Sequence, residues 1–172
     1  MCKTIIKLTL IFLFASCLSA YGGDWRIGGS HNVRTGDTEL DTTLGDLNVR
    51  TQGQNLSDFV SNLSLSYKFP KIEIENLLYK VKMTPADVYM TVGIARIGNR
   101  PINEVVNEYK ANKGKGWGGI AKNLGIKPGS SDFKALKAGG SKQLDKIKKK
   151  DRDKDKNKGK KGKQKAKKKK KK

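Results

Sequence analysis

Apolar residues between positions 55 and 140 recur at intervals of three and four, which is the spacing of an α-helix that buries one face. The apolar positions of the first two such segments are Phe59, Val60, Leu63, Tyr67, Ile74, Leu77, Leu78 and Val81. Residues 88–95 are apolar on most sides, so we expect a helix there in the middle of a bundle. The pattern predicts a small all-α domain of about six short helices over residues 55–140.

Turn and capping residues mark the ends of these helices. Residues 84–87 (TPAD) resemble a capping box, with Asp87 in place of the usual Glu and proline at the first helical position. Gly125, followed by the apolar Ile126, suits a left-handed glycine cap. Ser130 and its neighbours should cap a final helix that ends at residues 139–140, where two glycines follow each other.

Residues 21–54 are rich in Gly, Thr, Asp and Asn and carry few apolar residues, so we predict an irregular segment there. The tetrapeptide NVRT occurs at residues 32–35 and again at 48–51, which suggests two short strands around a turn at 42–45. The cluster Asp37, Glu39, Asp41 and Asp46 lacks the alternating Asp-x-Asp-x-Asp-Gly pattern of a calcium loop. We therefore expect a solvated acidic loop.

The C-terminal residues carry most of the charge. Of the 37 basic and 16 acidic residues, 19 basic and 4 acidic ones lie within 142–172, which therefore has a net charge of +15 out of +21 for the chain. Residues 148–172 contain no apolar residue except Ala166, so we predict a disordered tail over residues 141–172.

Such a tail should bind polyanions by electrostatics alone, because it lacks aromatic residues on which bases could stack. The alternative is a solvated extension that has no dedicated partner. The candidate anion-binding residues are Lys148, Lys149, Lys150, Lys160, Lys161, Lys167, Lys168, Lys169, Lys170, Lys171 and Lys172.

Residues 1–20 have the features of a secretory signal peptide: the cationic Lys3 and Lys7 precede an apolar run, 8–18, that is too short for a permanent transmembrane helix. Cleavage after Ala20 is one expectation. The other is a lipobox that ends at Cys17, which would then carry the lipid, although Phe14 suits that motif poorly. Both predict export to the periplasm or cell envelope of a bacterium.

Residues 114–119 (GKGWGG) match the pattern G-x-G-x-x-G, but the residues before them belong to an amphipathic helix and not to a buried strand. We therefore predict a tight turn between two helices, with Trp117 folded into the core. A phosphate- or partner-binding turn with free backbone amides is the alternative. Its candidate residues are Lys113, Gly114, Lys115, Gly116 and Trp117.

Residues 101–126 resemble the second half of a helix-turn-helix module, in which a short helix of the form W-x-x-I-A-x-x-L-G-I follows a turn. This resemblance fixes core positions only. A nucleic-acid-binding protein that uses this segment together with the lysine tail is the alternative function, although export argues against chromosomal DNA as the ligand.

Three segments, 87–90 (DVYM), 112–118 (NKGKGWG) and 120–130 (IAKNLGIKPGS), resemble small exported bacterial proteins of unknown function. The resemblance covers roughly residues 35–137. It implies a bacterial envelope protein and supplies no activity. The polylysine tail departs from what we expect of such proteins.

Catalysis finds little support in the sequence. His31 is the only histidine, and both cysteines, Cys2 and Cys17, lie in the leader. Glu73 and Glu75 are two residues apart, so on a helix they point to different faces. We therefore expect that the protein is not an enzyme and binds no metal or cofactor. The helical domain should bind an unidentified protein partner, and the tail should contact anionic envelope polymers or lipid head groups. Nucleic acid should bind only non-specifically.

Overall fold

The computed structural model describes the backbone of residues 33–169 and the side chains of that range except 113, 155 and 157–169. The predicted signal peptide, Cys17, His31 and residues 170–172 lie outside the described residues. The described chain is all-α, as predicted. Its helices are α1 Thr38–Arg50, α2 Gln54–Tyr67, α3 Lys71–Tyr79, α4 Pro85–Ile97, α5 Ile102–Asn112, α6 Gly116–Asn123 and α7 Ser131–Lys169, with a 3-10 turn at Lys113–Lys115.

Helix α4 is the centre of the bundle. Every residue from 85 to 95 is buried, and α1, α2, α3, α5 and α7 all pack against this helix. Each fully buried aliphatic side chain, such as Val88 or Ile94, contributes about 1.5–3 kcal/mol to folding. The prediction of a helix in the middle of the bundle, apolar on most sides, is confirmed.

The predicted helix ends are confirmed at three places. Thr84 Oγ1 accepts from the amide of Asp87, and the Asp87 carboxylate accepts from the amide of Thr84, both at 3.2 Å. Gly125 has a φ of +91°, and the amide of Ile126 donates to the carbonyl of Ala121 at 2.8 Å. Ser130 Oγ accepts from an amide in the first turn of α7 at 3.1 Å. These contacts satisfy backbone groups that a helix end leaves without partners.

The N-terminal segment departs from its prediction, because residues 38–50 form helix α1 and not two strands around a turn. Leu40, Leu44 and Leu47 lie at i, i+4 and i+7, and all three are fully buried. Asp37 caps the helix by accepting from the amide of Leu40 at 2.9 Å. Three leucines at helical spacing are sufficient for one buried stripe, while the polar residues between them face outward.

The acidic residues of this segment are paired and do not form a solvated loop, so that prediction is wrong as well. Asp41 accepts from the amide and the hydroxyl of Thr35, both at 2.7 Å. Lys137 of α7 lies 3.0 Å from Asp37 and 2.8 Å from Glu39. The carboxylates thus hold α7 and the preceding chain against α1.

The final helix was predicted to end at Gly139 and Gly140, but α7 continues to Lys169. An alanine Cβ at position 139 would overlap the Tyr67 hydroxyl and lie 2.7 Å from the Tyr89 hydroxyl. These glycines therefore permit close packing of α7 on α2 and α4, and they do not break the helix.

The core also extends beyond the predicted limits of 55–140. Leu144 and Ile147 are 6 % and 3 % exposed, and α1 contributes its leucines from the other side of that range. Residues 148–169, predicted to be disordered, belong to α7. The packed part of α7 supplies the unfavourable helix nucleus, and lysine then propagates a helix readily.

Candidate functional site

The first turn of α6 contacts residues 33–35, which we call the strap. The amide of Trp117 donates to the carbonyl of Val33 at 3.0 Å, and the amide of Gly118 donates to that of Arg34 at 2.9 Å. An alanine Cβ at Gly118 would overlap the carbonyl oxygen of Thr35. Glycine is therefore needed here for the close approach of the two backbones.

The strap occupies two backbone amides of the predicted phosphate-binding turn. The amides of Trp117 and Gly118 are not free, so neither is available to a phosphate as that prediction assumed. Gly114 and Lys115 lie exposed at the surface, whereas Gly116 is buried with a φ of +77°. The side chain of Lys113 lies outside the described residues.

Trp117 is 2 % exposed, which confirms its predicted place in the core, and its indole Nε1 donates to Asp87 Oδ1 at 2.8 Å. The other carboxylate oxygen of Asp87 accepts from Tyr109 at 3.1 Å and from the Thr84 hydroxyl at 2.8 Å. The rings of Tyr109 and Trp117 stack with centroids 5.2 Å apart. A single carboxylate thus links α4, α5 and α6.

The surroundings of Tyr109 disfavour its ionised form. Burial, together with the neighbouring Asp87 carboxylate, raises the pKa of Tyr109 well above its usual range. The Tyr109 hydroxyl therefore keeps its proton near neutral pH and acts as a donor. The bonds to Asp87 therefore hold α4, α5 and α6 together in the core.

The segment that resembles half of a helix-turn-helix module forms α5, the 3-10 turn and α6. Ile120, Ala121 and Leu124 are buried, so the resemblance describes packing. Helix α6 has eight residues, of which three are glycine. Its exposed polar side chains are Lys122 and Asn123, and Asn123 already donates to Glu108 at 2.6 Å.

The first lysines of the tail are docked onto α1 and α2. Lys148 pairs with Asp46 at 3.0 Å, and Lys150 forms an ion pair with Asp58. Lys149 is exposed. Of the predicted anion-binding residues, Lys148 and Lys150 therefore contact carboxylates of their own chain.

Two more contacts follow on the next turn of α7. Asp151 lies 3.9 Å from Arg50, and Lys154 donates to Asn55 Oδ1 at 2.8 Å. The side chains of Lys160, Lys161, Lys167, Lys168 and Lys169, as well as residues 170–172, lie outside the described residues.

The docked contacts divide the charge of the C-terminal residues into two parts. Residues 142–155 hold seven basic and four acidic residues, a net +3, and this stretch includes Lys148 and Lys150, which pair with carboxylates of α1 and α2. Residues 156–172 hold twelve lysines and no acidic residue, a net +12. The larger part of the charge thus lies beyond Lys154, where the described contacts with the bundle end.

Sequence reasoning missed the role of Asp87 in joining three helices, as well as that of Asp46 and Asp58 in receiving the lysines. The capping box identified Asp87, but Trp117 lies 30 residues away, so no local spacing indicates that bond. Asp58 and Lys150 are 92 residues apart. Only the four acidic residues within 145–155 indicated that this stretch differs from the lysine run after it.

No protein-family model matches this sequence, and no curated protein or solved structure matches it either. Within the described residues, none of the helices is both long and apolar enough to cross a membrane.

Proposed function

We propose that this chain is a non-enzymatic protein of the bacterial envelope, in which a helical bundle is held at anionic polymers or lipid head groups by its lysine-rich C-terminal extension. The observation that carries this proposal is the partition of charge: a net +12 lies in residues 156–172, beyond the stretch in which Lys148 and Lys150 pair with Asp46 of α1 and Asp58 of α2. The leader, residues 1–20, supports the placement of these lysines at an envelope surface.

The physical basis is the attraction of a dense cationic segment to a dense anionic one. Each lysine near an anionic membrane surface contributes about 1 kcal/mol, and the attraction falls off within a Debye length, roughly 8 Å at physiological ionic strength. Twelve lysines in a stretch whose sequence contains no acidic residue are therefore sufficient for strong binding at low salt. The binding should weaken steeply as salt is added.

The extension is continuous with the bundle, since α7 contains both the core residue Leu144 and the lysines up to Lys169. Binding by the lysines therefore places the bundle next to the anionic surface. Its other exposed surfaces are then available to a partner in the same compartment.

The proposal is tested by sedimentation of the full-length chain with vesicles that contain phosphatidylglycerol, over a range of salt concentrations. The comparison variant ends at residue 155 and so keeps Leu144, Ile147 and the docked ion pairs. A variant that ends at residue 141 is unsuitable, because it would remove Leu144 and Ile147 from the core. We expect the shortened chain to lose most of its binding.

A second variant keeps the length and replaces the twelve lysines of 156–172 by glutamine. It should behave like the shortened chain, because charge and not length is the cause. Neutral phosphatidylcholine vesicles are the lipid control. Equal sedimentation of the full-length and the glutamine chains with anionic vesicles would refute the proposal.

A further inference from the structure

Helices α3 and α5 pack on α4 on either side of a groove with a volume of about 540 Å³. This is within the range of about 300–1,000 Å³ that ligand sites occupy. The floor of the groove is apolar and consists of Leu77, Val81, Ile102 and Val106. The rim is polar: Glu73 and Asn76 on α3 face Asn103, Asn107 and Lys110 on α5.

The three asparagine side chains of the rim have no hydrogen-bond partner within the described part of the chain. Two other asparagines are used by the fold: Asn48 accepts from the amide of Ala86 at 2.8 Å, and Asn112 donates to Glu108 at 2.8 Å. A carboxamide can donate two hydrogen bonds and also accept. The rim therefore presents a row of donors and acceptors that the bundle leaves open.

The spacing of these carboxamides matches an extended polypeptide. Asn103 and Asn107 are four residues apart on α5, so they are displaced by about 6 Å along the helix axis. An extended chain repeats every two residues, or about 6.6 Å. Each carboxamide can therefore donate to the carbonyl and accept from the amide of one residue, since these two groups face the same edge of an extended chain, and the next carboxamide meets the residue two positions further on.

The remaining residues of the groove fit the same ligand. Side chains that alternate along an extended peptide would point toward the apolar floor of Leu77 and Val106. Glu73 and Lys110 cancel in charge, so the groove does not attract the polyanions expected at the tail. The lining residues include no aromatic ring on which a sugar could stack.

We propose that the groove between α3 and α5 binds an extended peptide segment of another protein, with Asn103 and Asn107 paired to its backbone and alternate apolar side chains on the floor. This site is independent of the lysine extension. It allows the bundle to bind a polypeptide, whereas the tail binds anions.

The test uses the full-length chain labelled with ¹⁵N and, as the probe, the capped peptide acetyl-Ser-Val-Ser-Val-Ser-Val-amide. We expect the side-chain amide signals of Asn76, Asn103 and Asn107 to shift on titration. Asn103→Ala and Asn107→Ala should each weaken binding about fivefold, the effect of losing roughly one net hydrogen bond. Both positions are exposed on a helix, where alanine is favourable, so the fold should persist.

Two controls make the result decisive. Asn62→Ala changes an asparagine of α2 outside the groove and should leave the affinity unchanged. The same peptide with N-methyl groups on alternate amides cannot donate to the carboxamides and should not bind. The proposal is overturned if millimolar peptide shifts none of the groove signals, if the N-methylated peptide binds equally, or if neither Asn103→Ala nor Asn107→Ala weakens binding.

Discussion

The contact between α6 and the strap predicts opposite effects of alanine at two neighbouring positions. In Gly118→Ala the new Cβ would overlap the carbonyl oxygen of Thr35 and lie 2.9 Å from its carbonyl carbon. Both are backbone atoms, so no side-chain rotation relieves the clash. In Gly119→Ala the nearest atom is Lys115 Cβ at 3.6 Å, which is ordinary van der Waals contact.

The magnitudes follow from what the clash displaces. Release of the strap removes two backbone hydrogen bonds, worth about 1 kcal/mol each, and the burial of Val33, worth about 1.5 kcal/mol. Alanine gains about 1 kcal/mol over glycine in a helix. We therefore expect Gly118→Ala to lower the free energy of unfolding by about 2.5 kcal/mol and Gly119→Ala to raise it by about 1 kcal/mol.

The assay is urea unfolding of both variants and the wild type, followed by far-UV circular dichroism and tryptophan fluorescence. Amide hydrogen exchange supplies a local measurement, because the amides of Trp117 and Gly118 should lose protection in Gly118→Ala only. If the two variants are stabilised equally, the strap does not lie against α6 and the reasoning fails.

Three further predictions concern the core. Asp87→Ala leaves Trp117 and Tyr109 without their shared acceptor and removes a helix cap, so urea unfolding should show a loss of about 3 kcal/mol or more; a loss below about 1 kcal/mol would contradict the network. Burial raises the pKa of Tyr89 and Tyr109, so the hydroxyls lose their protons at a lower pH in the unfolded chain than in the folded one. The free energy of unfolding should therefore fall above about pH 10, by up to about 1.4 kcal/mol per pH unit for each tyrosine. Urea midpoints that stay constant in this pH range would exclude this effect. Leu144→Ala should lower the free energy of unfolding by about 2–5 kcal/mol in the same assay. An unchanged free energy would mean that Leu144 is not part of the core.

The sequence was sufficient for features that depend on local spacing. The capping box at Thr84, the glycine cap at Gly125 and the all-round burial of α4 are each set by residues within one or two turns of one another. Trp117 was also expected in the core, since a large apolar residue after a glycine turn has nowhere else to pack.

The sequence was insufficient where one residue type has two uses. Adjacent glycines at 139–140 commonly end a helix, but here they allow α7 to approach the hydroxyls of Tyr67 and Tyr89. The bond between Lys137 and Asp37 joins residues 100 positions apart, so no periodicity indicates it. In α1, three leucines among polar residues were too few to stand out from an irregular segment.

The groove between α3 and α5 was not predicted, because the two helices that line it are separated in the sequence by the whole of α4. Asn103 and Asn107 are visible in the sequence as part of the polar face of an amphipathic helix, where solvent is the ordinary neighbour. Only the gap between α3 and α5 shows that they stand above an apolar floor. A groove of this kind depends on helix packing, and helix periodicity does not indicate it.

The length of α7 has a mechanical consequence. Its 39 residues correspond to about 58 Å of helix, and its first turns are packed among α1, α2 and α4. A force applied near Lys169 is therefore transmitted along a hydrogen-bonded rod directly into the core, whereas a flexible linker would absorb it. A surface that binds the lysines at the C-terminal end of α7 would fix both the distance of the bundle from that surface and its orientation.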